Sequence, residues 1–340
     1  MIDTIAVVGA TGAVGRIIVE SLLARQFPAR RIKLLASKRS AGRPFTVSGA
    51  ELDVEELRPE SFAGVQIAIG STPDEVAAEF VPWAIERGCV VVDESGHFRM
   101  RPDVPLVIPE VNPGDIDRHK GLISSPNCST TQMVMVMKPL HDAARVRRVV
   151  VSTYQAVSGA GLAATTELRD TTAAWLEGAP EKRSVFAHDI AANLIPQIGS
   201  PRPGGGTSEE LKMVHETRKI LGDESIGVCA TCVRVPVFIS HSEAVNVEFE
   251  KPLYADEART ILRSAPGCLV IDKREPGGYI TPHEAAGEDA TYISRIREDS
   301  TVENGLAFWC VSDNLRKGAA LNAIQIAEAL NIRKLLKAKG

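Results

Sequence analysis

Up to about Ser125 the apolar positions alternate between two periods, one of strands and one of helices. TIAVVGA (Thr4–Ala10), RIKLLAS (Arg31–Ser37) and VQIAIGS (Val65–Ser71) are short continuous apolar runs, the signature of strands buried on both faces. Between the first two, Val14, Ile17, Ile18 and Leu22 fall on one helical face, and DEVAAEFVPWAIERG reads as a helix that stops at Gly88. CVVVDES, PLVIPEV and GLISS predict further short strands. Strand and helix in alternation imply a doubly wound parallel sheet. Beyond that point the pattern changes. RRVVVSTYQAVSG, GVCATCVRVPVFIS, SEAVNVEFE, TYISRIRE and LAFWCVS predict longer strands, with period-two alternation at Val245, Val247 and Phe249. Helical runs such as EELKMVHETRKIL and DEARTILRSA separate them, so an α+β domain with a mixed sheet follows the α/β domain. NLRKGAALNAIQIAEALNI predicts one closing amphipathic helix, and PQIGSPRPGGGTS predicts a mobile linker.

The 340 residues suffice for about two domains, and the 44% apolar and 24% charged content is that of a soluble globular protein. A net charge of −4 offers no basic field for nucleic acid. No apolar run approaches the roughly 18 residues of a membrane span, and MIDTIAVVGATG lacks the cationic start of a signal peptide. Six cysteines are too sparse for a disulfide scaffold, which points to a cytoplasmic protein with reduced thiols. Cys229 and Cys232 form a C-x-x-C within a strand pattern, where positions three apart face opposite ways; they read as packed strand cysteines rather than a metal or redox pair.

Gly9, Ala10, Thr11, Gly12, Ala13, Val14 and Gly15 make a glycine-rich turn from the first strand into the first helix. Such a turn lets the backbone approach a pyrophosphate, whose charge the N–H groups of the helix start stabilise. The second strand ends in Ser37, Lys38, Arg39 and Ser40, and no Asp or Glu occurs from Ser21 to Ala50. Cations and hydroxyls in place of an acid favour a 2′-phosphate, hence NADP.

The segment SSPNCSTTQM contains Cys128. Ser129 to Gln132 matches a capping box ahead of the helical positions Met133, Val136, Met137 and Leu140, so Cys128 is expected at a helix N-terminus. Unpaired N–H groups there stabilise a thiolate and an oxyanion formed by its attack. His241, between the apolar runs RVPVFIS and SEAVNVEF, is a candidate proton-handling partner.

The motifs GATGAVG, SPNCST, STYQAVSGAG, EELKM, RVPVFISHSE and VSDNLRKGAALN, in this order over nearly the whole chain, resemble those of the aspartate-semialdehyde dehydrogenase family. The resemblance implies a glyceraldehyde-3-phosphate-dehydrogenase-like architecture. Residues 1–127, completed by 313–340, would form the Rossmann-type NADP-binding domain, and 128–312 the catalytic and dimerisation domain. It implies reversible NADPH-dependent reductive dephosphorylation of L-aspartyl 4-phosphate to L-aspartate 4-semialdehyde, on the route through diaminopimelate to lysine and on to threonine and methionine. Inorganic phosphate is the second product. The chain would assemble as a homodimer or homotetramer and hold no metal. Cys128 would be the nucleophile, His241 the acid/base and Gln155 the residue that orients the substrate. Arg234, seven residues earlier on the strand expected to reach His241, would clamp the α-carboxylate, and Glu209 would meet the α-amino group. Lys212, Arg99 and Asn127 would hold phosphate. Ser71, Thr72, Ser158, Gly159 and Asn314 would contact the cofactor. The alternative is another acyl-phosphate reductase of the same architecture, such as one acting on N-acetylglutamyl phosphate.

Overall fold

The computed structural model describes residues 2–47, 49–180 and 182–336. The chain divides into two compact units, Met1–Asn127 with Ala319–Gly340, and Cys128–Gly318. The re-entry into the first unit thus lies later than the expected position 313.

The first unit begins with β1 (Ile2–Val8), α1 (Ala13–Ala24), β2 (Ala29–Ala36), the hairpin β3 (Phe45–Val47) and β4 (Ala50–Leu52), and β5 (Val54–Glu56). It continues through β6 (Ile67–Gly70), α2 (Asp74–Glu86), β7 (Val90–Asp93) and β8 (Leu122–Ser124). A six-stranded sheet of order β5-β2-β1-β6-β7-β8 is parallel throughout. Ile5 and Val7 enter one core cluster with Ile18, while Ala6 and Val8 enter another with Phe80 of α2. Burial on both faces is why these strands are apolar at every position. PLVIPEV is not a strand: it makes a single bridge, Leu106 to Ser124. Asn112 holds it instead, accepting from Ile108 N at 2.9 Å and donating to the Leu106 carbonyl at 2.8 Å.

The second unit runs α3 (Cys128–Ala144), β9 (Val146–Gln155), α4 (Leu162–Glu177), α5 (Ser208–Leu221), β10 (Gly227–Arg234), β11 (His241–Phe249) and α6 (Ala255–Arg263). Then come β12 (Cys268–Val270), α7 (Pro282–Ala285), β13 (Thr291–Glu298) and β14 (Gly305–Ser312). Its mixed sheet has the order β10-β9-β11-β14-β13-β12. Helices α3, α5 and α6 pack on one face of it. Cys232 is buried and Cys229 exposed, as alternation along β10 requires. The expected strand GVCATCVRVPVFIS stops short: β10 ends at Arg234, the backbone turns, and His241 opens β11, the strand expected to follow it. Both strands pair with β9, one parallel and one antiparallel.

The PQIGSPRPGGGTS segment lies inside this unit and links no domains. It folds back on itself through Arg202 N to Gly206 O at 2.8 Å and Ser208 N to Ser200 O at 2.8 Å. The closing helix is not a single amphipathic one. Residues Arg316–Ala320 wind as a π-type turn, and α8 (Leu321–Ile332) follows within the first unit, buried on most sides among Ile18, Ile69 and Val92. No helix among the described residues is long and apolar enough to cross a membrane.

Candidate active site

In the first unit, the turn after β1 is shaped for close backbone approach. Gly9 has φ +82°, and a Cβ there would fall 2.1 Å from the Ser71 carbonyl oxygen. A Cβ at Gly15 would fall 2.1 Å from the Gly9 oxygen. Gly12 caps α1 with no side chain over its first N–H groups, and that first turn, with Ala13 and Val14, carries no acid. A helix start left open in this way suits a pyrophosphate. Thr11 lies within the turn, and Ser71 and Thr72 follow β6 at the carboxyl end of the sheet, the edge where doubly wound folds bind dinucleotides. Ser37 and Ser40 close a turn after β2, Ser40 N donating to Ser37 O at 2.8 Å, and Arg39 sits in it exposed. Arg99 is buried and donates from Nη2 to the Glu94 carbonyl at 2.6 Å. Asn127 is buried as well.

In the second unit, α3 starts at Cys128 itself, two residues earlier than the capping-box reading. Ser129 therefore lies inside the helix, and Gln132 bears on Glu243 rather than on the helix start. Cys128 is half-buried. Gly318 packs so tightly against it that a Cβ there would stand 2.9 Å from the Cys128 Cβ.

Gln155 is the last residue of β9, opposite Arg234 at the end of β10, with His241 starting β11 on the other side. The three buried side chains thus converge because β9 is flanked by β10 and β11. One peptide group holds two of them. Ala156 N donates to His241 Nδ1 at 3.0 Å, and the Ala156 carbonyl accepts from Arg234 Nη1 at 2.7 Å. With its Nδ1 lone pair used, neutral His241 carries its hydrogen on Nε2, which is buried and has no partner among the described residues. Burial, then the Arg234 charge, pushes the His241 pKa well below the usual imidazole range, against a small opposing pull from the Ser240 backbone. Burial also lowers the Arg234 pKa, opposed by Cys128 first and Glu209 next. Arg234 is thus the common neighbour of thiol, imidazole and carboxylate.

Glu209 sits in the first turn of α5, almost fully buried. Its Oε1 accepts from Gln155 Nε2 at 3.4 Å and its Oε2 pairs with Lys212 Nζ at 3.2 Å, one turn along on a side chain 40% exposed. The α5 start is set by Thr207, whose hydroxyl accepts from Glu210 N while Glu210 accepts from Thr207 N. A Cβ at Gly159 would meet Arg234 Nη1 at 3.0 Å and His241 Nε2 at 3.1 Å. Asn314 joins the same group: its Nδ2 donates to Ser158 Oγ at 3.1 Å, and its Oδ1 accepts from Ser240 N at 2.9 Å.

Three contributors had no side-chain signal. The Ala156 peptide acts through its backbone. Ser240 adopts φ +78°, which sequence gives no reason to expect of a serine and which aims His241 inward. Gly318 works by having no side chain. Among the described residues, no group of three or more metal-binding side chains occurs.

Two family profiles match the chain, one described as semialdehyde dehydrogenase, NAD binding domain, over residues 4–119, the other as semialdehyde dehydrogenase, dimerisation domain, over 137–317. The chain is similar to the aspartate-semialdehyde dehydrogenase of Aquifex aeolicus (strain VF5), at 49% identity over 96% of this chain and 97% of that protein. Its structure is similar to that of aspartate semialdehyde dehydrogenase II from Vibrio cholerae complexed with ASA. That match has a TM-score of 0.95 and 42% identity over 98% of this chain and 99% of the other. The Candida albicans enzyme with NADP matches at a TM-score of 0.79 and 26% identity, over 98% of this chain and 100% of the other.

Proposed function

The chain belongs to the aspartate-semialdehyde dehydrogenase family, and from that membership we propose how its own residues carry the reaction. The activity is the interconversion of L-aspartyl 4-phosphate and L-aspartate 4-semialdehyde with NADP in amino-acid biosynthesis, which sets aside the N-acetylglutamyl phosphate alternative. Gly9, Thr11, Gly12, Ala13, Val14 and Gly15 would hold the pyrophosphate, with Ser71 and Thr72 beside them and Ser37, Arg39 and Ser40 at the 2′-phosphate. Bound NADPH supplies the hydride that reduces the acyl group.

Cys128 acts as thiolate, favoured by the N–H groups of the α3 start and by Arg234. Its sulfur bonds to the acyl carbon of aspartyl phosphate and the C–O bond to phosphate breaks. Phosphate leaves and takes up a proton, and a thioester remains on Cys128. Reduction gives a tetrahedral alkoxide, to which His241 Nε2–H donates. Collapse of the alkoxide expels the Cys128 thiolate and releases the aldehyde. With Nδ1 occupied, His241 serves the oxygen as a donor and never needs to become a cation, which suits its lowered pKa. Arg234 would clamp the α-carboxylate, Glu209 the α-ammonium group, and Gln155 would orient the acyl end. The observation that carries this reading is the Ala156 peptide, which fixes His241 and Arg234 together. The expected assay outcome is phosphate-dependent NADP⁺ reduction with L-aspartate 4-semialdehyde. Cys128→Ala should abolish turnover while NADPH binding, read by fluorescence, stands; wild-type turnover in that variant would sink the nucleophile role.

The face of the mixed sheet opposite α3 supports self-association. Val150, Ser152, Tyr154, Thr231, Ala244 and Trp309 form an uncharged surface there, with the Tyr154 and Trp309 rings 5.5 Å apart. Such a face suits the centre of a homodimer interface, and the matching dimerisation domain spans it. The free thiols of all six cysteines suit a cytoplasmic location.

A further inference from the structure

Glu243 lies two residues past His241 on β11, so both side chains leave the strand on the face that α3 covers. Gln132 lies four residues past Cys128, one turn along the same side of α3. Glu243 and Gln132 meet and make a second polar layer behind the catalytic side chains. The Glu243 carboxyl has no exposed surface. Its Oε2 accepts from Cys310 Sγ at 3.3 Å, and the Gln132 amide bears on it. Among the described residues, neither Gln132 Nε2 nor Glu243 Oε1 meets a partner in regular hydrogen-bond geometry. Two buried groups left open beside one another are placed to serve one another after a small shift, since leaving either alone is costly.

Burial pushes the Glu243 pKa up to about 8, opposed by Cys310 and then Gln132. The ionisable groups around it are Cys310 from β14, Cys232 from β10, Cys268 from β12 beyond Cys310, His241 on its own strand and Cys128 on α3. Gln132 from α3 and Thr153, paired opposite on β9, are uncharged. At neutral pH the layer therefore holds a protonated acid. The established chemistry has no proton for it to deliver.

We propose that Glu243 is a positioning residue for the catalytic pair: as a neutral acid it ties the helix that begins with Cys128 to the strand that begins with His241 and keeps the layer behind them uncharged. The inference rests on Cys128 and His241 carrying the chemistry. An anion against Gln132, which lies one turn along α3 from Cys128, disfavours a thiolate there, so ionisation of Glu243 switches activity down.

The test is the pH profile of kcat, with the rate of Cys128 alkylation by iodoacetamide followed by mass as a readout that needs no turnover. In the wild type kcat should fall on an alkaline limb near pH 8. Glu243→Ala should lower kcat about tenfold or more while KM for NADP⁺ stays. Glu243→Gln should recover most of that loss and lack the alkaline limb. A limb that persists in Glu243→Gln, or a Glu243→Gln as impaired as Glu243→Ala, overturns the proposal. If Glu243→Ala does not fold, Gln132→Glu reads the same link from the helix. Two facing acids should move the limb to lower pH, and an unmoved limb overturns the proposal. Full activity of Cys128→Ala would instead sink the reading of the site, and the alkylation profile would still decide the role of Glu243.

Discussion

Gly159 is where a single missing methyl group matters most. Arg234 Nη1 and His241 Nε2 both stand close to where its Cβ would be, at 3.0 and 3.1 Å. Arg234 is held by the Ala156 carbonyl and His241 by the Ala156 N–H, so neither side chain can retreat without giving up a bond. Gly159→Ala should therefore lower kcat roughly ten- to hundredfold, since small misplacements at a reacting centre cost that much. Its melting temperature should stay near that of the wild type, because Gly159 is exposed rather than in the core. Steady-state kinetics with a thermal melt would decide; a large fall in melting temperature with intact kcat would contradict this account. His241 and Cys128 could be singled out as candidates in the sequence because their residue types carry chemistry. Ala156 and Ser240 were not, because a peptide group and a backbone angle leave no mark in residue identity.

Elements deliver these residues through their ends. Gln155 and Arg234 close β9 and β10, His241 opens β11, and Cys128 and Glu209 sit in the first turns of α3 and α5. Glu209 depends on where α5 starts, and Thr207 sets that start through a reciprocal bond with Glu210. Thr207→Ala should cost about 1 kcal/mol of stability, the usual value of a cap. It should also raise KM for the semialdehyde, as Glu209 loses its fixed position. Denaturant unfolding and a KM measurement would check both; a stability loss with no change in KM would separate the cap from the site. That β10 stops as early as Arg234 escaped the sequence because the following residues 235–239, VPVFI, are apolar throughout. Local propensity favours an unbroken strand there, whereas the long-range pairing of both segments with β9 demands a turn.

For the whole molecule the open question is assembly. The sheet face around Val150 and Tyr154 carries the paired Tyr154 and Trp309 rings, and burying it against a second copy would remove apolar area from water. Val150→Arg, placing a charge at its centre, should shift the protein to monomers in sedimentation velocity at micromolar concentration. A dimer of undiminished affinity would move the interface elsewhere.

By itself the sequence determined both fold classes and NADP as the cofactor, and it proposed the phosphate-binding turn and Cys128 as the nucleophile. Each of these follows from periodicity or from residue chemistry at short spacing, and such information is local. Only the tertiary structure decided that PLVIPEV is not a strand, that the glycine-rich loop is an internal turn and that the closing helix is buried on most sides. The same holds for the layer of Glu243 and Gln132, which lie far apart in the chain and meet only because α3 crosses β11. Contacts of that kind depend on how elements pack, and a buried glutamate reads in sequence like any solvated one.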